Sequence, residues 1–131
     1  MTLRRLLLAA FVAASLAALP AIVRAQSSAP VHAGAEVDTP PRLTNPTRTA
    51  RLVADSYPSR LRRSGVSGQA QVQFVVDTSG KVEPESIEVV LASGPAFAIA
   101  AKRVAGKIHF TPGRSNGQVV RTRVLLPIAY K

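Results

Sequence analysis

The sequence predicts an α+β domain: a three-stranded antiparallel sheet with two helices packed on one face. Three observations carry this. Strand-like stretches alternate apolar and polar residues at a period of two, as in Gln69-Ala70-Gln71-Val72-Gln73-Phe74, which describes a sheet with one dry and one wet face. Two segments open on proline and close on glycine, as helices do. Their order along the chain is helix, strand, strand, helix, strand.

Ahead of the domain, residues 1–25 read as an export leader. Arg4 and Arg5 precede an apolar run from Leu6 to Leu19, Pro20 ends it, and Val23-Arg24-Ala25 is a small-residue cleavage site. The alternative is an uncleaved amino-terminal anchor, since Leu6 to Val23 is at the short end of what spans a bilayer. Loss of Arg4, Arg5 and Arg24 with the leader takes the net charge from +10 to +7. Export turns that charge away from nucleic acid and toward an anionic envelope surface or an acidic protein. With no cysteine in the chain, packing alone must hold the domain. Residues 26–50, with Pro30, Pro40, Pro41 and Pro46, read as a linker in which Glu36 to Leu43 forms a short added strand. The domain is expected over 51–131.

Its first helix spans Tyr57 to Gly65, with Pro58 at the first helical position, Gly65 in the left-handed position after the end, and Arg60, Arg62 and Arg63 on the exposed side. A strand starts at Gly68 with Ala70, Val72, Phe74 and Val76 inward and the three glutamines outward. Asp77-Thr78-Ser79-Gly80 is a turn. It leads to a second strand with Ile87, Val89 and Leu91 on one face and Ser86, Glu88 and Val90 on the other. Ser93-Gly94-Pro95 opens the second helix, whose apolar stripe is Phe97, Ala100, Ala101 and Val104, and Gly106 ends it. Ile108 and Phe110 flank His109 in a short extended piece, and Pro112 to Gly117 is a turn. The last strand, Gln118 to Tyr130, faces Val120, Thr122, Val124, Leu126, Ile128 and Tyr130 inward and Arg121 and Arg123 outward.

Catalytic chemistry finds little support. His32 and His109 are isolated in sequence, Glu83, Glu85 and Glu88 fit a solvated hairpin flank, and no serine has a neighbouring base. No metal-ligand spacing and no phosphate loop is present, so no cofactor and no metal are expected. Binding fares better. A strand of about 13 residues far exceeds the usual five or six, and as an edge it offers unpaired backbone groups to another strand. Arg121, Arg123 and Pro127 could equally serve to blunt that edge.

The pieces Tyr57-Pro58, Gly65-Val66-Ser67-Gly68, Val72 to Asp77, Gly80-Lys81-Val82, Phe97 with Ala100-Ala101, Phe110-Thr111-Pro112, Asn116-Gly117 and Pro127-Ile128 together resemble the carboxy-terminal domain of the TonB energy transducers, over Tyr57 to Lys131. The resemblance implies a periplasmic domain of two helices on a three-stranded sheet. It also implies that the last strand pairs with the TonB box, an extended segment of outer-membrane receptors, and Arg121, Thr122, Arg123, Val124, Leu125 and Leu126 are the expected contacts. Anchored in the inner membrane, such a chain would also meet proton-driven motor proteins. A scaffolding role in the envelope, with self-pairing into a homodimer, is the alternative. The sequence departs from the family in three places: the stretch from Leu6 to Val23 carries only Ser15 as a polar residue, the spacer from Gln26 to Ala50 reaches at most about 80–90 Å, and Ile108 stands where an aromatic residue is common.

Overall fold

The computed structural model describes residues 29–131, and the expected leader or anchor lies outside them. The elements run β1 (Val31–Ala33), a 3-10 turn (Gly34–Glu36), β2 (Arg42–Leu43), α1 (Pro46–Ser56), α2 (Ser59–Arg63), β3 (Gly68–Val76), a 3-10 turn (Pro84–Ser86), β4 (Glu88–Ala92), α3 (Pro95–Ala105), β5 (Phe110–Thr111), β6 (Gly113–Ser115) and β7 (Gln118–Tyr130).

The α+β class holds, but the sheet is a mixed, five-stranded one rather than three-stranded and antiparallel. Its main path is β1-β7-β3-β4, with β6 also on β7, and β2 and β5 form a separate pair. The expected antiparallel core is there: β3 pairs with β7 from Gly68↔Tyr130 to Val76↔Thr122, and with β4 on its other side. Two additions change the count. Asn116 and Gly117 both adopt positive φ, which makes the tight hairpin turn that folds β6 onto the start of β7. The expected turn at Pro112 to Gly117 is therefore half strand. The segment read as a linker also docks: β1 runs parallel to β7, Thr39 bridges Arg114, and β2 pairs with β5.

A third helix, α1, precedes the two expected ones. Asn45 caps it, its side-chain oxygen accepting the Arg48 amide at 2.9 Å, and Pro46 sits in the first turn. The helix expected from Tyr57 shrinks to α2, with Pro58 as its N-cap and Gly65 at φ 68° just past its end.

The core lies between the inner face of the sheet and α3. Ala70, Val72, Phe74 and Val76 of β3 are buried against Phe97, Ala100, Ala101 and Val104, as their spacing predicts. Gly68 leaves room for the Phe97 ring, since a Cβ there would lie 2.3 Å from a ring carbon. On β4 the expected face fails at Leu91, which is half exposed. A register shift between Gln71 and Val72 inserts Val90 as an extra residue, so Leu91 pairs with outward Gln71 and Ala92 takes the inward place beside Ala70. Val75 departs too. It sits on the wet face yet is buried, its amide donating to the Ser86 hydroxyl at 2.8 Å.

Asp77 organises the turn after β3. Its carboxylate accepts from the Ser79 and Lys81 amides and from the Ser79 hydroxyl at 2.6–3.0 Å. Burial works to raise this carboxyl, but those hydrogen bonds and the nearby Lys81 charge outweigh it and hold the group below its ordinary value of 3.8. Gly80 follows at φ 87°, with its carbonyl accepting the Phe110 amide and no space for a side chain beside the Phe110 carbonyl.

Candidate functional site

The last strand is the longest element of the described chain, and its inward residues explain its position. Thr122, Ile128 and Tyr130 are buried, and Val124 and Leu126 pack against the core. At its far end Tyr130 stacks edge-on to Tyr57 (centroids 5.4 Å apart) and tilted against Phe97 (5.3 Å), and its hydroxyl meets that of Ser56 at 3.1 Å. Burial raises the Tyr130 phenol above its ordinary value, with the Ser56 contact acting against it. Tyr57 in turn donates its hydroxyl to the Val66 carbonyl and lies under the Arg62 guanidinium at 5.2 Å, while Arg62 also donates to the Ala54 carbonyl at the end of α1. This aromatic cluster fixes α1 at a set distance from β7.

The result is a groove of about 690 Å³ between α1 and the carboxy-terminal half of β7. Leu43, Val53, Ala54 and Tyr57 form one wall, and the residues from Leu126 to Lys131 form the other. Along this half, from Val124 to Tyr130, β3 occupies the inner side of β7, and no strand among the described residues occupies the outer side. Pro127 adds a polarity. Proline is tolerated in a paired strand where its nitrogen points away from the ladder. By the two-residue repeat, the amides of Leu125 and Ala129 point the same way, outward.

The amino-terminal half of β7 is different. β6 lies along Gln118 to Val120 and β1 along Arg121 to Arg123. Of the six residues expected to contact a partner, Arg121, Thr122 and Arg123 thus have their edge taken by the chain itself, while Val124, Leu125 and Leu126 lie on the open stretch and Leu126 alone of the six lines the groove. Arg121 does not stand ready for an acidic partner either: its guanidinium holds Glu83 through two bonds at 3.0 and 2.8 Å and also donates to the Ala29 carbonyl. Arg123 remains exposed. The groove wall from α1 was absent from the sequence reading. Its signal was Asn45-Pro46, a cap and first-turn proline that read instead as linker.

The histidines stay apart from any such cluster. His109 is exposed, its carbonyl receiving the Thr44 amide, and His32 lies in β1. Among the described residues no group of three or more His, Cys, Asp or Glu side chains could hold a metal ion.

The family model described as the Gram-negative bacterial TonB protein C-terminal matches residues 53–131, more than half of the chain. The solution structure of the Pseudomonas aeruginosa TonB C-terminal domain is similar in fold at a TM-score of 0.51, with 21% identity over 76% of this chain and 91% of that one. A Helicobacter pylori TonB C-terminal domain structure aligns at a TM-score of 0.40 and 21% identity, over 63% of this chain and 76% of that one. No curated protein matches the chain. The extent of the family match, which begins inside α1 and runs through the whole of β7, shows that this chain belongs to the TonB C-terminal family.

Proposed function

We propose that this protein is a periplasmic binding module, not an enzyme, that accepts an extended segment of an outer-membrane transporter, the TonB box, along the outer edge of β7. The observation that carries the reading is the unpaired backbone from Val124 to Tyr130 beside the α1 groove. An added strand there would draw its affinity from main-chain hydrogen bonds and its selectivity from side chains that enter the groove. Family membership supports the kind of partner. A role in energy-dependent uptake belongs to the same reading and needs an anchored chain that reaches a proton-driven motor. The mature amino terminus, read by mass spectrometry, separates the two forms: Gln26 marks a free periplasmic module and Met1 an anchored one.

The test of the edge is Leu125→Pro. It removes an outward amide that a partner strand needs, at a position where the free fold tolerates proline. Titrated with peptides from the amino-terminal segments of outer-membrane receptors, the folded variant should bind at least tenfold more weakly than the parent, the loss of about 1.4 kcal/mol that one main-chain hydrogen bond represents. Arg123→Ala should change binding less, because an exposed charge pair contributes only about 0.2–1 kcal/mol. Equal binding by parent and proline variant, with circular dichroism confirming the fold, would remove strand addition and favour a scaffolding role.

A further inference from the structure

Residues 29–39 form a strap across the edge that the proposed partner would use. The strap pairs with β7 over three residues only, Val31↔Arg121 to Ala33↔Arg123, in parallel. It buries little: Val31, Ala33 and Ala35 are all exposed. Polar clasps hold it instead. Arg121 donates to the Ala29 carbonyl, the Asp38 carboxylate accepts the Asn116 amide at 2.8 Å, and Thr39 and Arg114 exchange both backbone hydrogen bonds at 3.1 and 2.9 Å. Just beyond, Arg42 and Leu43 pair with Thr111 and Phe110, and Leu43 packs against the core. The strap is thus a weakly bound strand tethered by a firmer anchor. Parallel pairs are slightly less stable per residue than antiparallel ones, and segments with few buried apolar contacts open at low free-energy cost. The tether compensates, because an intramolecular competitor acts at high effective concentration.

We propose that this strap is an autoinhibitory competitor for the β7 edge. This rests on the strand-addition reading above. With the strap docked, an incoming segment can pair only from Val124 to Tyr130. When the strap peels away, the pairing extends over Arg121, Thr122 and Arg123. The strap therefore shortens the edge and lowers apparent affinity by the fraction of time it is docked.

Two full-length variants test this from opposite sides. Gly34→Val with Asp38→Ala should loosen the strap. A Cβ at Gly34 lies 3.2 Å from the Arg123 carbonyl oxygen, and the second change removes the bond to Asn116. Ala33→Cys with Arg123→Cys should lock it, as these two residues are direct partners in a chain with no other cysteine. The probe is a fluorescein-labelled peptide from the amino-terminal segment of an outer-membrane receptor, read by anisotropy. A strap docked about 90% of the time predicts tighter binding by the loosened variant than by the parent, by up to roughly tenfold, the limit reached when the shortened edge holds the peptide negligibly. The oxidised locked variant should bind more weakly than its own reduced form. Exchange of the outward amides of Arg121 and Arg123 should speed up in the loosened variant, while that of Thr122, which faces β3, should not. Should the loosened variant fail to fold, the oxidised and reduced states of the locked one still decide. Equal affinity in the parent, loosened and locked forms, with Leu125→Pro still weakening binding at least tenfold, would overturn the strap and leave strand addition standing. Binding by Leu125→Pro equal to that of the parent would overturn both.

Discussion

The sheet has two open edges, and they differ in kind. β4, Glu88–Ala92, closes one side. It is five residues long, carries an extra residue at Val90 that breaks its register with β3, and places Glu88 at its start. These are the ways proteins blunt an edge: shortness, a bulge and charge. The far half of β7 closes the other side. It belongs to a strand of 13 residues, keeps an unbroken register with β3 from Gly68 to Val76, and lies beside an apolar groove. Exposure alone does not make an edge receptive. Regular pairing geometry and an adjacent place for side chains do, and only β7 combines them here.

Both edges hang on β3, so the largest expected effect comes from breaking their common support. Phe74, buried between the two and tilted against Phe110 at 5.5 Å, should cost about 3–5 kcal/mol as Phe74→Ala in a denaturant melt. A cost under 1 kcal/mol would mean that the core does not centre on this strand. The comparison itself is sharpened by matched prolines. Leu125→Pro should weaken peptide binding at least tenfold, whereas Val90→Pro, set in the bulge where proline is tolerated, should leave the same titration unchanged. If Val90→Pro proves the more damaging to binding, the partner uses β4.

A smaller effect concerns the turn that follows β3 on the way to β4. The folded Asp77 carboxyl lies below its ordinary value, so its contribution to stability is complete above pH about 4 and is lost as pH falls through the folded value. Thermal melts from pH 5 downward should show this loss, and Asp77→Ala should cost roughly 1 kcal/mol at pH 7 and flatten the acid limb. An unchanged acid limb would show that other carboxylates govern it. The smallest effect belongs to the wet face. Gln73 lies between Glu88 and Leu125 in the pairing, and Gln73→Ala should stay within about 0.5 kcal/mol.

Much of this protein was legible in its sequence because the relevant signals are local. Alternation along Gly68 to Val76 and Gln118 to Tyr130 determined which side chains of the two long strands face the core, since a period of two admits only two choices. The stripe of Phe97, Ala100, Ala101 and Val104 determined the buried face of α3 in the same way. The turn at Asp77 to Gly80 followed from side chains that bond their own backbone. What the tertiary structure decided is which partner each backbone edge meets. Nothing in Val31-His32-Ala33 announces a parallel strand, because such pairing is set by where β7 lies and not by an alternating pattern in three residues. Asn45-Pro46 could open a helix or extend a linker, and the packing of Leu52 and Val53 against the core settled it. The bulge at Val90 likewise arose from fitting β4 to β3 and reversed the face of Leu91. The site inherits this division: its strand could be read from the chain, whereas the strap over one half and the groove beside the other exist only where distant segments meet.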